Sequence, residues 1–203
     1  MIIKTYVAGF LENNIYLVLD EASKKGVLID ATEDLPEIIQ AAQGYDIEYI
    51  LLTHGHFDHI SGLNNLKKAL NAKAVINKND IIISDNINEF TRLFNQPDSV
   101  PPTYEKFVND GDILNIGNLK IKVITTPGHT EGSVCYLIDD KLFSGDTLFR
   151  GSIGRTDLFG GNYQKIKDSV LNKLLKLDSK IKVYTGHGPE TTIDFEKRNN
   201  VLI

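Results

Sequence analysis

All five histidines of this chain fall in three short segments, and none is left over. Three occupy Thr53-His54-Gly55-His56-Phe57-Asp58-His59, the fourth lies in Thr126-Pro127-Gly128-His129-Thr130, and the fifth in Thr185-Gly186-His187-Gly188-Pro189. Histidines scattered for ordinary packing would also turn up on helix faces and exposed loops. Neutral imidazole is the commonest nitrogen donor for borderline metals such as zinc, so the pattern points to a metal centre. His54 and His56, two apart on a segment leaving a strand, can present both rings to one side, whereas on a helix they would splay apart. Gly55 leaves room between them for close backbone approach. Asp58 and His59 follow at the turn. His129 is reached through a Pro-Gly turn, His187 is flanked by Gly186 and Gly188, and Asp146 stands in Ser144-Gly145-Asp146-Thr147 after another strand. Seven donors, five His and two Asp, exceed what one tetrahedral ion takes. Divided between two ions with one carboxylate shared, they suit a hydrolytic centre with ions about 3.5–4 Å apart.

Each donor needs a strand to deliver it. Residues 2–7, 15–19 and 26–30 read as short strands rich in β-branched and aromatic side chains, with turn chemistry at Asn13-Asn14 and Ser23-Lys24-Lys25. Residues 35–43 read as a helix with Pro36 in its first turn and Gly44 closing it. The near-continuous apolar run 47–53 reads as a strand buried on both faces, leading straight into the histidine cluster. A helix at 63–70 and a strand at 74–77 follow; later strands are expected at 119–125, 134–138, 141–144 and 182–185. Helices are expected over 163–177 and from Asp194. Two strand-rich halves, each followed by helices, imply two sheets packed together with helices outside. Residues 78–110 carry Pro97, Pro101 and Pro102 with an apolar group, Phe90, Leu93 and Phe94. They read as a helical excursion plus loop, either a wall or lid over the site or side chains packed on the core.

Composition narrows the setting. A length of 203 residues fits one domain, or two halves sharing a core. No apolar run approaches the roughly 20 residues that cross a bilayer, and the start, Met1-Ile2-Ile3-Lys4-Thr5-Tyr6, lacks the pattern of an export signal. One cysteine, Cys135, excludes an internal disulfide framework; within Val134-Cys135-Tyr136-Leu137 it reads as core and not as a nucleophile. The expectation is a cytoplasmic protein with no membrane partner. A net charge of −5 argues against nucleic acid, which usually leaves a basic footprint. Lys165, Lys167, Lys173, Lys176, Lys180 and Lys182, interleaved with Ile166, Val170, Leu171, Leu174 and Leu177, read as the solvated face of an amphipathic helix in preference to a phosphate site.

The Thr53–His59 stretch with His129, Asp146 and His187 resembles the metallo-β-lactamase-fold hydrolases, and the resemblance runs over nearly the whole chain. Asn14-Ile15-Tyr16-Leu17 and Ile29-Asp30-Ala31 resemble early strands of that family. Ser144-Gly145-Asp146-Thr147-Leu148-Phe149, followed by Gly154-Arg155-Thr156-Asp157, is similar to its small glyoxalase II-like branch. The resemblance implies an α/β fold, the αββα four-layer sandwich: two mixed sheets face to face, helices outside, and the site along one edge. It implies that His54, His56 and His129 hold one divalent ion and Asp58, His59 and His187 the other, with Asp146 bridging. Zinc is the first expectation for both, and iron or manganese fits the same donors. Asp30 would be a carboxylate steadying the ligand loop from behind, the alternative being a turn-forming Asp.

The activity implied is hydrolysis of a small-molecule thioester, S-D-lactoylglutathione or a related acyl thiol, with Asp58 and Asp146 the catalytic carboxylates. Two cations make hydroxide available near neutral pH, stabilise the oxyanion and accept the departing thiolate. The chain stops soon after the last histidine motif, so a single domain over 1–203 is expected, without the C-terminal helical domain that helps larger members bind glutathione. Arg155 resembles a substrate-binding contact to the carrier thiol, but Asp157 stands where an aromatic contact is often found, and the two could pair at the surface. The competing activity is that of persulfide dioxygenases, which share the fold and use one iron; here His54, His129 and Asp146 would hold it. Asp58, His59 and His187 complete a second site and favour hydrolysis. β-Lactam hydrolysis is disfavoured by Asp146, where periplasmic lactamases commonly place cysteine. An oxygen-reducing diiron role is disfavoured by His56, where that branch has glutamate. RNA processing would call for a basic surface. A non-enzymatic binding module would have lost donors, and none is missing.

Overall fold

Alternation of side chains along the strands builds two sheets from two halves of the chain, in a computed structural model that describes residues 1–203. Strands β1 (Ile2–Ala8), β2 (Asn13–Asp20) and β3 (Lys25–Ile29) form an antiparallel meander. Helix α1 (Pro36–Ala41) crosses to β4 (Asp46–Leu51), which runs parallel to β3; α2 (Phe57–Ile60) and α3 (Leu63–Leu70) lead on to β5 (Lys73–Ile76), parallel to β4. A 3-10 turn (Lys78–Asp80) and helices α4 (Ile81–Asp85) and α5 (Ile87–Leu93) precede β6 (Lys106–Phe107), which completes a six-stranded sheet in sequential order.

The second half repeats the plan. Strands β7 (Ile113–Ile116), β8 (Leu119–Thr125), β9 (Val134–Ile138) and β10 (Lys141–Gly145) meander antiparallel. After a small hairpin of β11 (Leu148–Phe149) and β12 (Ser152–Ile153), helix α6 (Tyr163–Asn172) crosses to β13 (Lys182–Thr185), parallel to β10. Strand β14 (Thr191–Thr192) forms the edge and α7 (Ile193–Asn199) closes the chain, giving the order β14-β13-β10-β9-β8-β7.

Three cores separate the layers. On β2, Ile15, Leu17 and Leu19 face Ile38, Leu63, Leu66 and Ile87 of the first-half helices, while Tyr16 and Val18 face the other sheet. Between the sheets lie Val27, Ile29 and Leu51 from one side and Ile121, Val123, Tyr136 and Phe143 from the other. Beyond the second sheet, Leu142 and Val183 pack on Ile166, Val170 and Ile193. Each sheet is therefore covered on both faces, and the architecture is the αββα sandwich of two mixed sheets.

Several elements differ from the sequence reading. The helix expected to reach residue 177 ends at Asn172, and Leu174–Lys176 forms a 3-10 turn. There Leu174 enters the core while the Lys173 ammonium turns to the Thr125 carbonyl oxygen at 2.7 Å. The strands β7 and β11–β12 had no distinct sequence signal, because elements of two to four residues carry too few side chains to show a period. No helix is long and apolar enough to cross a membrane.

At the end away from the histidines, Asp20 ties the sheets together. Its carboxylate accepts from the Ser23 hydroxyl in its own turn and from the Asn118 backbone and side-chain amides of the β7–β8 turn at 2.9 and 2.8 Å. These bonds, Ser23 foremost, hold its pKa down to about 2 from the ordinary 3.8. A depressed carboxylate stabilises the fold above its unfolded pKa and stops doing so as pH falls through the folded one. Asp20→Asn should therefore melt below the parent at pH 6, with the gap closing by about pH 2. An equal gap at both pH values in urea or thermal melts would show that the charge plays no part.

Candidate metal centre

The predicted donors converge where strands of both sheets end. His54 Nε2 and His56 Nδ1 lie 3.2 and 2.9 Å from His129 Nε2. His59 Nε2 and His187 Nε2 lie 3.7 and 3.4 Å from Asp58 Oδ2. Asp146 stands between the two groups, with Oδ2 at 3.6 Å from His129 Nε2 and 3.3 Å from His187 Nε2, and Oδ1 at 3.3 Å from His59 Nε2. Within each of the trios His54–His56–His129, His54–His59–Asp146 and Asp58–His59–His187, the donor atoms lie within 4.8 Å of one another. Asp58 and His59 sit on the single-turn helix α2 and not on a loop, closed by a bond from the His59 amide to the His56 carbonyl oxygen at 3.0 Å.

The outer nitrogens explain why the inner ones point inward. His59 Nδ1 donates to Asp30 at 2.9 Å, His129 Nδ1 to the Arg155 carbonyl at 2.8 Å, and His187 Nδ1 to the Leu11 carbonyl at 2.9 Å. With Nδ1–H committed outward, Nε2 is the nitrogen that faces the centre, where it would donate to a metal on giving up its proton. Asp30 also accepts from the Thr53 amide at 2.8 Å and the Thr53 hydroxyl, which in turn contacts His54 Nδ1 at 3.1 Å. It holds this position with φ at +61°, a strained angle for a residue other than glycine.

Several supporting residues escaped the sequence reading. Asn13 donates to Asp58 Oδ2 at 2.9 Å; its only sequence signal was an Asn-Asn pair that reads as turn chemistry. Asp80, fully buried, accepts from the Gly55 amide at 2.8 Å, the Gly132 amide at 2.6 Å and the Thr130 hydroxyl at 2.7 Å. It thereby clips the His54–His56 segment to the loop after His129. A Cβ at residue 55 would lie 2.8 Å from the Asp80 carbonyl oxygen, and one at residue 186 would lie 2.1 Å from Asp146 Oδ1, so both positions require glycine.

The charges match a cation at the centre. Burial, then the neighbouring His59, His129 and His56 rings, keeps His54 neutral; burial and His129 bring His56 down to about 3. Burial opposes charge on His59 too, but Asp30, Asp146 and Asp58 outweigh it and raise its pKa. His187 is raised to about 10 against burial by its bonds to Asp146 and Asp58. Burial would raise Asp58, yet His59, His187 and Asn13 bring it to about 2. Two ionised carboxylates thus draw positive charge to one buried point. His59 Nε2 and Asp146 Oδ1 face each other there without a hydrogen-bond partner, and the His54, His56 and His129 rings present nitrogens to one another at 2.9–3.2 Å that cannot all be donors. Divalent cations held by this nitrogen and carboxylate set would satisfy each of these atoms.

A cavity of about 290 Å³ opens over the donors. Its other walls are Leu11, Phe57, Phe90, Phe94, Phe149 and Leu158, with Arg155 at the side. Residues 78–110 therefore supply a wall through Phe90 and Phe94, while Ile83, Ile87 and Phe90 also pack on the core. The Arg155 guanidinium makes a two-pronged pair with Asp157 at 2.7 and 2.8 Å. No serine, threonine or cysteine lines the cavity, and Cys135 is fully buried with its thiol pushed up to about 11 by burial.

A family model described as the metallo-beta-lactamase superfamily matches residues 8–187. The hydroxyacylglutathione hydrolase GloC of Haemophilus influenzae is 32% identical over 198 residues, covering 95% of this chain and 93% of its own. Among solved structures, BLEG-1 B3 metallo-beta-lactamase superposes with a TM-score of 0.91 at 32% identity, covering 98% of both chains. TTHA1623 in a di-iron-bound form superposes at 0.87 with 34% identity, covering 98% of this chain and all of the other (100%).

Removing the Asp80 carboxylate strands two buried amides and a hydroxyl at about 1–3 kcal/mol each. Asp80→Ala should lose about 3 kcal/mol or more of unfolding free energy in urea and bind added zinc more weakly than the parent. An unchanged urea midpoint would exclude Asp80 from the supporting frame.

Proposed function

The chain belongs to the metallo-β-lactamase superfamily, and from that premise we propose that it is a metal-dependent hydrolase of thioesters, akin to the small glyoxalase II-like branch. The observation that carries this reading is the position of Asp146, whose two oxygens face nitrogens of both donor groups. In this reading His54, His56 and His129 hold one ion, Asp58, His59 and His187 the other, and Asp146 is shared between them. Zinc is the metal proposed first; the same donors accept iron and manganese. Bound there, two divalent cations supply Lewis acidity, lowering the pKa of water toward neutrality and stabilising negative charge on a carbonyl oxygen.

The chain's own residues do the rest. The bonds from His59, His129 and His187 to Asp30, Arg155 and Leu11 fix the donor nitrogens before substrate arrives, so little reorganisation is needed during reaction. Asn13 fixes the orientation of Asp58 through Oδ2. The walls beside the reacting centre are apolar, and with no serine or cysteine in the cavity water is the nucleophile. The thioester preference rests on similarity to GloC, named a hydroxyacylglutathione hydrolase, and on a cavity of about 290 Å³ beside the donors.

The test is metal content of freshly purified protein together with hydrolysis of a thioester panel that includes S-D-lactoylglutathione, under air and under nitrogen. About two ions per chain and oxygen-independent cleavage are expected, and Asp146→Ala should lose most of both. One iron per chain with oxygen uptake on adding glutathione persulfide would replace this reading with the dioxygenase. A β-lactam hydrolysed faster than every thioester would replace it with lactamase activity. Full metal content in the Asp146 variant would refute its shared position.

A further inference from the structure

The cavity walls have a composition that the reaction itself does not require. Of the twelve lining residues, six are hydrophobic, and the polar remainder consists of five donors and Arg155. Apart from the donors, then, Arg155 is the only polar side chain available to a substrate. Its guanidinium is taken by Asp157 in two hydrogen bonds, and those bonds in turn hold the Asp157 pKa to about 2, so the pair is ionised and neutral as a unit. An anionic substituent meets no free cation here. A hydroxyacyl group meets no hydroxyl, amide or phenol to pair with its oxygen, which a site selecting a hydroxyl by hydrogen bonding would present.

The apolar surface lies where the acyl group must go. The Phe90 ring is 5.4 Å from the His56 ring, and the Phe57 and Phe94 rings are 5.4 Å apart behind it. A group attached directly to a carbonyl beside His56 therefore contacts phenyl faces within one or two bonds. Burying methylenes there is favourable by roughly 0.8 kcal/mol each, close to fourfold in an equilibrium constant.

We propose that the substrate is a thioester with an uncharged, apolar acyl group, an alkanoyl chain or aryl-acyl group, seated on Phe57, Phe90 and Phe94. The inference rests on the thioesterase reading. In the reaction water forms the new C–O bond as the C–S bond breaks; the products are the carboxylate, the free thiol and one proton, with no oxidant or reductant.

The experiment compares kcat/KM for acetyl, butanoyl, hexanoyl and phenylacetyl thioesters of N-acetylcysteamine, an uncharged carrier, with that for S-D-lactoylglutathione, all on zinc-loaded protein. We expect a rise of roughly tenfold from acetyl to butanoyl, a further rise to hexanoyl, and the lactoyl compound below both longer chains. Phe94 is half-buried, so Phe94→Ser should fold and should flatten the series. Binding gives a readout independent of turnover: the S-hexyl thioether of the same carrier, which cannot be hydrolysed, should bind the Phe94 variant roughly fivefold or more weakly in calorimetry. A flat series in the parent, or lactoylglutathione preferred over every apolar acyl group, would overturn the acyl assignment while leaving the thioesterase reading in place. Cleavage of no thioester by fully loaded protein would instead remove the thioesterase reading, and this inference with it.

Discussion

A buried imidazole has two nitrogens, and this site depends on committing one of them to the protein frame so that the other faces inward. Burying neutral polar atoms without partners costs on the order of 1–3 kcal/mol each. A cluster of five histidines and two aspartates is tolerable only if most of that cost is offset. The outer bonds of His59, His129 and His187 offset part of it and choose the tautomer. Among the atoms they leave unsatisfied, His59 Nε2 and Asp146 Oδ1 face each other at 3.3 Å. That juxtaposition favours a cation there, and the adjacent carboxylates supply the matching charge.

The frame is stiff because the two sheets are tied to each other directly beneath the donors. Tyr16, on the first sheet, donates its hydroxyl to the Thr185 carbonyl on the second at 2.6 Å, two residues before His187. Tyr136, on the second, donates to the Leu52 carbonyl on the first at 2.8 Å, two residues before His54. Backbone bonds from Asn14 to Gly186 and from Val134 to Thr53, both 2.8 Å, join the same strand ends. Each sheet thus holds the ligand segment of the other, and Tyr16, Phe143 and Tyr184 fill the space below with rings 5.0–5.4 Å apart. A donor moving outward would have to break bonds in both sheets at once.

The donors were legible in the sequence because their signal is local: His54, His56, Asp58 and His59 lie within six residues, and His129 and His187 sit in short glycine-bearing turns. The layer order was legible because two strand-rich halves, each followed by helices, are visible along the chain. Asp80 was not legible. In Lys78-Asn79-Asp80 it looks like any turn aspartate, and its role comes from pairing with residues 25 and 52 positions away. Asn13 is hidden in the same way, by a contact to Asp58 across 45 positions. For Arg155 the sequence left open a substrate contact or a pair with Asp157; the structure shows the pair, made at the side of the cavity.

Chemistry and specificity occupy separable parts of the fold. The donors stand on strand ends and their immediate turns, cross-braced as described, and a change there disturbs the frame. Phe57 belongs to the donor segment itself and Phe149 follows Asp146 on β11, but the other cavity walls come from elements outside that brace: Leu11 from the β1–β2 turn, Phe90 and Phe94 from α5 and the residue after it, Leu158 from the loop before α6. These side chains contact the space over the metal centre without bonding to its donors, so they can vary in size and polarity while the donor geometry stays fixed. Chains similar to this one are named a hydroxyacylglutathione hydrolase, a metallo-beta-lactamase and a di-iron-bound protein, so one fold accommodates more than one chemistry. The donors of this chain therefore bear on the reaction class, and its phenylalanine wall bears on the substrate.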